Sequence, residues 1–264
     1  MQWDQQVPKR LVIDGVSLEA QCWGPAPELA DTIVLLHEGL GCVALWRDFP
    51  ARLAEATGRG VFAYSRRGYG QSDSVPLPRP LDYMTREAVD VLPKVIDAIG
   101  LKRGILVGHS DGASIAALYP GHVEDHRING LVLMAPHFFT EPAGLAAITD
   151  AKRAFDEGDL RQRLAKYHAD VDGAFKGWNG AWLDPGFKRW NIEDTLDYIR
   201  VPVLGIQGQA DQYGTVAQLK AMESRLYSPY DELVLDQCRH SPHVDQVDRT
   251  VAAIAEFCQR LDRL

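Results

Sequence analysis

The chain has 264 residues, of which 46% are hydrophobic and 24% charged, and its formal net charge at pH 7 is −8. This apolar share is typical of a globular protein and excludes an intrinsically disordered chain, while the length fits one α/β domain or two smaller domains. The negative charge argues against nucleic acid or an anionic membrane surface as the main partner.

Short β-rich runs alternate with longer helical patterns along the first half of the chain, which indicates a largely parallel sheet covered by helices. The predicted strands of this half cover residues 11–14, 17–23, 32–37, 61–64, 104–108 and 128–135. Helices are predicted over 45–56 and 84–99 and from residue 113 onward. Pro93 lies inside the second helical pattern and predicts a kink or a break there, because proline lacks the N–H group that a helix needs.

Beyond residue 136 the pattern changes, since no buried strand is predicted and aromatic residues become frequent. We interpret residues 137–199 as an inserted helical subdomain. After it, strands are predicted over residues 203–207 and 232–235, and helices over residues 216–226 and 249–260. The chain is therefore predicted to form one core from residues 1–136 and 200–264, which carries the inserted segment.

Cysteine spacing and the lack of long apolar runs exclude several classes of protein. The chain has four cysteines, at positions 22, 42, 238 and 258. None forms a CxxC pair, so we expect reduced thiols, and we expect neither a metal nor a cofactor. No apolar run approaches the ~20 residues of a membrane span, and the first residues lack the apolar core of a secretory signal. These features predict a cytoplasmic protein without a membrane partner.

The sharpest motif is GHSDG at residues 108–112, which directly follows the predicted strand GILVG and precedes an apolar helix. It matches G-x-S-x-G in the context of strand, turn and helix that this motif requires. A nucleophile in that place sits on a tight, strained turn, and Gly108 and Gly112 supply the small flanks that such a turn needs. The helix N-terminus behind Ser110 directs backbone N–H groups toward developing negative charge. Ser110 is therefore the predicted nucleophile.

On these residues the chain resembles the α/β-hydrolase superfamily, and the resemblance extends from about residue 11 to residue 261. It implies the α/β-hydrolase fold, with a mostly parallel eight-stranded sheet, helices on both faces and an inserted helical cap. It also implies a serine hydrolase with a catalytic triad, in which the acid and then the histidine follow the nucleophile along the chain.

A serine needs a base to become a good nucleophile, and the base needs an acid that orients it. The resemblance places the acid in a G-x-x-D turn after the strand VPVLGIQG, where this chain has Asp211. Asp197 and Asp236 are rivals, but neither follows a buried strand in that manner. The base is expected in the loop CRHSPHVDQ, and by the family's register it is His240, with His243 as a neighbour that shapes or caps the loop.

Acyl transfer also requires two N–H donors for the tetrahedral oxyanion. The resemblance places one donor at the backbone amide after the nucleophile, which belongs to Asp111. The other is expected in the loop after the strand TIVLLH. Aligned from His37, this second donor is Gly39, with Leu40 as the alternative.

Two positions depart from the family's pattern. Arg239 stands where the family often has glycine, and Glu38 replaces the usual glycine of the oxyanion loop. Glu38 either braces this loop together with His37 or points into solvent. The stretch SRRGYGQS resembles the family's R-G-x-G-x-S turn, and we interpret its residues 67–72 as structural bracing. The histidines without comparable context are interpreted as polar or partly buried residues, namely His109, His122, His126 and His168.

The inserted segment lies where the superfamily carries its lid over the nucleophile. A wall of aromatic side chains excludes water and suits a small-molecule substrate with an apolar or aromatic acyl group. The candidate lining residues are His137, Phe138, Trp178, Asn179, Trp182 and Trp190. The alternative is that most of these side chains form a small core within the segment. The segment also carries many basic residues, which leave a carboxylate-bearing substrate possible.

These observations favour a serine hydrolase that cleaves a small carboxylic ester or thioester through an acyl-enzyme on Ser110. The same triad would serve a hydrolase that cleaves a carbon–carbon bond next to a ketone, as the family's ring-fission-product hydrolases do. A ligand receptor that retains the hydrolase fold and a non-catalytic scaffold are further alternatives, and the intact triad argues against the scaffold. Dehalogenase and epoxide hydrolase activities are disfavoured, because those relatives have aspartate at the position of Ser110.

Overall fold

The computed structural model of the protein describes residue 3 and residues 8–263. Its strands are β1 (Lys9–Ile13), β2 (Val16–Trp23), β3 (Thr32–Leu36), β4 (Gly60–Tyr64), β5 (Gly104–His109), β6 (Ile128–Met134), β7 (Val203–Gly208) and β8 (Tyr230–Leu235). Within the described residues they form one eight-stranded sheet in the order β1-β2-β4-β3-β5-β6-β7-β8. The pairs β1–β2 and β2–β4 are antiparallel, and the other pairs are parallel. The predicted mostly parallel, eight-stranded sheet is therefore confirmed.

Helices connect most of these strands. They are α1 (Phe49–Thr57), α2 (Tyr83–Arg86), α3 (Leu92–Ile99), α4 (Asp111–His122), α5 (Pro142–Asp156), α6 (Leu160–Leu164), α7 (Val171–Trp182), α8 (Ala217–Arg225), α9 (Pro242–Asp245) and α10 (Val247–Leu261). Helices α5, α6 and α7 lie in the inserted segment 137–199, between β6 and β7. None of the helices in the described part of the chain is long and apolar enough to span a membrane.

Apolar side chains cover both faces of the sheet. All residues of β3, β4 and β5 are buried, as expected for strands with helices on both sides. On one face, α1 and α10 contribute Phe49 and Phe257 to an apolar cluster. On the other face, α3 and α4 contribute Leu92 and Ile115 to a second cluster. Burial of each such side chain contributes about 1.5–3 kcal/mol, so the covered sheet is the main source of stability.

The inserted segment shares its core with the sheet. Its buried side chains Phe175, Trp182 and Phe187 belong to the same apolar cluster as Ile115 and Leu118 of α4. Aromatic side chains of the segment also pack on one another, as Phe187 and Trp190 do, so the predicted core within the segment is continuous with that of the sheet. Continuous apolar contact holds the segment on the face of the sheet that α3 and α4 cover.

Two helical patterns are interrupted, both next to a proline. Residues 45–56, predicted as one helix, form a 3₁₀ turn that ends at Trp46 and then α1, which begins after Arg47 adopts a φ of 54°. The predicted interruption near Pro93 is present, because a π-helical turn joins α2 to α3 just before it. Pro50 and Pro93 each occupy the second position of the restarted helix, where the N–H group has no partner within the helix.

Four loops meet at the carboxyl ends of the parallel strands. The chain leaves β3 toward Gly39, β5 at Ser110, β7 toward Asp211 and β8 toward His240. Neighbouring parallel strands end at the same edge of a sheet, where α/β proteins commonly place their ligand sites. This edge therefore brings together residues that are far apart in the chain.

Candidate active site

Ser110 lies on a strained turn between β5 and α4. Its φ is 54°, a left-handed conformation that costs a non-glycine residue about 1–3 kcal/mol. The Ser110 N–H donates to the Met134 carbonyl at 2.9 Å, which ties the turn to β6. A Cβ atom on Gly112 would overlap the Leu36 carbonyl, and one on Gly108 would overlap the backbone of Gly112. The two glycines therefore allow the close backbone approach that holds Ser110 in this conformation.

Asp211 and His240 form a hydrogen-bonded pair from the loops after β7 and β8. The Nδ1 atom of His240 lies 2.9 Å from Oδ1 and 2.8 Å from Oδ2 of Asp211. The carboxylate also accepts hydrogen bonds from the Tyr213 N–H at 2.8 Å and the Gln207 amide at 2.7 Å. Burial alone would raise the pKa of Asp211, but the hydrogen bonds from His240 and Tyr213 hold it below its usual value. The ionised carboxylate keeps the proton of His240 on Nδ1, which leaves Nε2 able to act as a base.

The structure brings His240, rather than His243, to this carboxylate. His243 is buried, and its ring centroid lies 4.8 Å from that of Trp46. Burial and the neighbouring His109 lower the pKa of His243 to about 3, so its ring is neutral at neutral pH. His243 therefore contributes to the packing of the loop.

Ser110 and His240 line the same cavity. Among the described residues no hydrogen bond joins the two side chains, and such bonds often form only when a substrate is bound. Ser110 is 6% exposed, so its hydroxyl is reached through this cavity. The rival acid Asp197 instead pairs with Arg225, with 2.8 Å between Oδ2 and Nη1.

The loop after β3 is held by the buried side chain of Arg66. Its guanidinium donates to the carbonyl oxygens of His37 and Glu38, the second at 3.0 Å. The Arg66 N–H donates to the His37 ring, also at 3.0 Å. Arg66 lies one residue before the range 67–72, for which the sequence predicts bracing.

This bracing sets the direction of the Gly39 N–H group. Because a trans peptide is planar, the N–H of Gly39 points opposite to the Glu38 carbonyl, which faces Arg66. Gly39, Leu40 and Asp111 all line the cavity. The N–H of Asp111 lies in the first turn of α4, where backbone N–H groups have no partner within the helix. The backbone N–H groups of Gly39 and Asp111 therefore remain the candidate oxyanion donors.

The cavity itself is small, with a volume of about 100 Å³. This volume corresponds to about three water molecules in the liquid. Its apolar wall comes from the inserted segment, through Leu145 and Ile148 of α5 and Trp178 and Trp182 of α7. The inserted segment therefore closes the side of the cavity that faces away from the sheet edge.

Three of the predicted lining residues reach this cavity, namely His137, Trp178 and Trp182. The prediction is corrected for Phe138, Asn179 and Trp190, which are not among the described residues of its wall. Phe138 is fully buried in the apolar core. The ring of Trp190 stacks on Phe187 with centroids 5.1 Å apart, and the Asn179 amide donates to the Ile148 carbonyl at 3.1 Å. Each of these side chains contacts other protein groups, whereas the sequence predicts contact with the substrate.

The charged groups of the cavity wall are acidic. Glu38, Asp111 and Glu141 contribute carboxyl groups, and the wall contains no lysine or arginine among the described residues. Asp111 is buried and accepts hydrogen bonds from the Tyr83 hydroxyl and, at 3.2 Å, from Trp182 Nε1. Burial raises the pKa of Asp111. The basic residues of the inserted segment therefore do not offer a binding partner to a carboxylate in this cavity.

Two residues at the site, Glu38 and His109, are given no catalytic or binding role by the sequence pattern. Glu38 lies in the cavity wall, with Oε2 3.3 Å from Nδ1 of His109. The interpretation of His109 as polar or partly buried is corrected, since it is fully buried and its Nε2 lies 2.7 Å from the His240 carbonyl oxygen. The sequence signal for Glu38 is a charged residue shortly after a buried strand, where glycine is usual.

A larger depression of about 910 Å³ lies at the opposite end of the strands. It is open surface near the beginnings of β5 and β6, where Arg103, His122 and Tyr198 contribute to its wall. Its described wall contains no hydrogen-bonded acid–histidine pair beside a strained serine. The cavity at Ser110 is therefore the candidate active site.

Comparison with known proteins identifies the family. A profile described as the alpha/beta hydrolase family matches residues 33–253, which is most of the chain. The chain belongs to the alpha/beta hydrolase family. This membership confirms the resemblance inferred from the GHSDG motif and the strand–helix order.

Individual members of the alpha/beta hydrolase family are similar to the chain at low identity. A non-heme chloroperoxidase of Streptomyces lividans is 28% identical over 75% of this chain and 80% of the relative. A bifunctional esterase/perhydrolase of Acinetobacter calcoaceticus is 27% identical over the same shares of the two chains. A solved meta-cleavage product hydrolase of Pseudomonas fluorescens superposes with a TM-score of 0.77 at 19% identity, over 96% of this chain and 97% of that chain. The structural match supports the fold alone.

Proposed function

We propose that this alpha/beta hydrolase cleaves small carboxylic esters or thioesters through an acyl-enzyme on Ser110. The observation that carries the proposal is the Asp211–His240 pair, 2.8 Å from Oδ2 to Nδ1, at a cavity that also contains the strained Ser110. A histidine oriented by a buried carboxylate is the usual means of activating a serine hydroxyl. The esterase named among the relatives supports the same chemistry.

In the proposed reaction, His240 Nε2 accepts the proton of the Ser110 hydroxyl as Oγ attacks the carbonyl carbon of the substrate. The N–H groups of Gly39 and Asp111 stabilise the oxyanion, each by about 3 kcal/mol. Protonated His240 then donates its proton to the leaving alcohol or thiol, and Asp211 stabilises the imidazolium. Water activated by His240 releases the carboxylic acid and regenerates the serine.

The cavity favours a short and neutral acyl group. Its volume of about 100 Å³ is well below the ~300–1,000 Å³ of sites for drug-sized ligands. The side chains of Leu145 and Ile148 provide apolar contact. An acyl chain that ends in a carboxylate would meet Glu141 and no lysine or arginine in the described wall, which disfavours it.

We further propose that residues 137–199 act as a cap over the acyl group. Helices α5 and α7 supply the apolar wall, including Ile148 and Trp178. A wall of this kind excludes water from the reacting carbonyl, which strengthens the hydrogen bonds to the oxyanion. The shared core of segment and sheet suits a cap that stays in place.

Cleavage of a carbon–carbon bond would use the same three residues, and similarity in fold to a meta-cleavage product hydrolase does not separate the two reactions. A ring-fission ketone is much larger than a short acyl group, so the size of the cavity favours the ester. A receptor would require no oriented acid–histidine pair, and the Asp211–His240 hydrogen bonds therefore favour turnover.

The acyl specificity is tested with acetyl, butyryl and octanoyl esters of p-nitrophenol. We expect kcat/KM to be highest for the acetyl ester and at least about tenfold lower for the octanoyl ester, because added methylenes overfill the cavity. Ile148→Ala should shift the preference toward the butyryl ester. Preference for the octanoyl ester would contradict the small acyl site. Turnover of ring-fission ketones alone would favour the carbon–carbon alternative, and binding without multiple turnover would favour a receptor.

Replacing Gly39 with alanine keeps the backbone N–H but should displace it, and we expect kcat/KM for p-nitrophenyl acetate to fall by up to about 10²- to 10³-fold, the usual effect of losing one oxyanion donor. The added Cβ atom would overlap the indole ring of Trp178, so the loop or the ring must move. Trp178→Ala removes this obstacle, and the double variant should recover part of the loss. Gly180→Ala is a matched control on α7, where a Cβ atom meets open space. A loss that the double variant does not recover at all would show that the clash with Trp178 is not its cause.

A further inference from the structure

His109, the residue before the proposed nucleophile, is enclosed between two hydrogen-bond acceptors. Its Nδ1 atom lies 3.3 Å from Glu38 Oε2, and its Nε2 atom lies 2.7 Å from the carbonyl oxygen of His240. A carboxylate and a carbonyl oxygen both accept, so each ring nitrogen needs a proton to form these bonds. The His109 side chain is only 1% exposed, so water does not replace either acceptor. A neutral ring carries one N–H group and would leave one of the two acceptors without a donor.

We infer that Glu38 and the His109 imidazolium form a buried ion pair that positions His240 for catalysis. The inference rests on the proposed function, because it concerns the base of the proposed triad. Asp211 holds the ring of His240, whereas His109 holds its main-chain carbonyl. The base is thereby fixed at two points. Glu38 lies in the loop that also contains Gly39, so the pair also fixes the position of His240 relative to the oxyanion donors.

The surroundings of the pair fit these charges. Burial alone would raise the pKa of Glu38, but the hydrogen bond from His109 and the nearby histidines hold it well below its usual value. The ring of His243 lies 4.8 Å from that of His109, and burial keeps it neutral by lowering its pKa to about 3. His137 is neutral for the same reason, also with a pKa of about 3. Neither of these neutral rings therefore competes with His109 for the Glu38 carboxylate.

This pairing explains why a carboxylate stands in the oxyanion loop where the family usually has glycine. A buried cation that loses its partner is strongly destabilised, so the two residues depend on each other. Glu38→Gln keeps the shape of the side chain and removes its charge. We expect this variant to displace the His240 loop while leaving the overall fold intact.

The kinetic test compares Glu38→Gln and the parent with p-nitrophenyl acetate. We expect kcat to fall about 10- to 100-fold with little change in KM, because the base is misplaced. Glu38→Asp should recover part of the loss. Glu55→Gln, an exposed substitution of the same type on α1, should leave kcat unchanged. A fall in kcat/KM that comes from a higher KM alone, with kcat preserved, would overturn the positioning role.

A double-mutant cycle tests whether the two residues act as one unit. His109→Asn should lower kcat about as much as Glu38→Gln, and the double variant should lose little more than either single variant. Losses that multiply independently would contradict the pair. Thermal unfolding of all three variants identifies any that have lost the fold, and these are excluded from the cycle.

The protonation of His109 is measured directly by NMR of protein labelled with ¹⁵N-histidine. In inactive Ser110→Ala protein at pH 7 we expect one buried histidine with both ring nitrogens protonated. Its signal should be absent from a His109→Asn variant and should change to a singly protonated ring in Glu38→Gln. A singly protonated His109 in the parent overturns the inference. Because this measurement needs no turnover, its result is independent of the proposed ester hydrolysis.

Discussion

Replacing Ser110 with alanine should abolish ester hydrolysis, with a fall in kcat of about 10⁴- to 10⁶-fold. The substitution removes the oxygen that forms the proposed acyl-enzyme bond and keeps the Cβ atom, so the turn at φ 54° is no more strained than before. The hydrogen bond from its N–H to the Met134 carbonyl does not involve the side chain. Hydrolysis of p-nitrophenyl acetate measures the loss, and the thermal unfolding midpoint shows that the fold is retained.

Ser224→Ala is the matched control for this substitution. It also removes one serine hydroxyl, which donates to the Ala221 carbonyl at 3.0 Å on α8 and is not part of the cavity wall. We expect this control to keep the kcat of the parent. A folded Ser110→Ala protein with more than about 1% of the parent activity would show that another group is the nucleophile.

Replacing His240 with alanine should have the second largest effect, a fall in kcat of about 10⁴-fold or more, because the members of a triad act as a unit. His240 is the histidine whose Nδ1 contacts both oxygens of Asp211. Its side chain is 12% exposed, and the thermal unfolding midpoint of the variant checks that the fold is retained. Without it, the Ser110 proton has no acceptor oriented by a buried carboxylate. Steady-state kinetics with p-nitrophenyl acetate check this result.

His243→Ala separates the two histidines of this loop. The ring of His243 packs against Trp46 and Phe49, with centroid distances of 4.8 and 5.5 Å. Its loss should cost about 1–3 kcal/mol of stability while leaving the Asp211–His240 pair in place. Below the unfolding temperature we expect more than about a tenth of the parent kcat. An inactive His243→Ala protein beside an active His240→Ala protein would show that the loop register is wrong.

Much of the fold follows from the sequence, because the buried strands have a pattern of their own. TIVLL and GILVG are continuous apolar runs, since helices cover both faces of the sheet. The nucleophile turn is equally visible, because a residue larger than Gly112 would collide with β3. The interruption within 45–56 was not predicted, because apolar spacing does not distinguish one helix from a 3₁₀ turn followed by a helix.

The wall of the cavity could not be predicted to the same extent. Trp178 and Phe138 are both aromatic and both buried, but apolar spacing indicates burial without saying what covers the side chain. Trp178 lines the cavity, whereas Phe138 packs in the core. Glu38 and His109 meet only because β3 and β5 are neighbours in the sheet. The motifs correctly indicate that the proposed triad residues lie at one sheet edge. The catalytic roles of these residues stay predictions.

The most direct test of Ser110 as the nucleophile is labelling with a fluorophosphonate, read by intact mass and peptide mapping. This reagent reacts with a serine that a neighbouring histidine activates, and it requires no knowledge of the substrate. We predict one adduct per chain, on the peptide that contains Ser110, and no adduct on Ser110→Ala. A folded parent protein that remains unlabelled, or that is labelled at another residue, would contradict hydrolysis through Ser110.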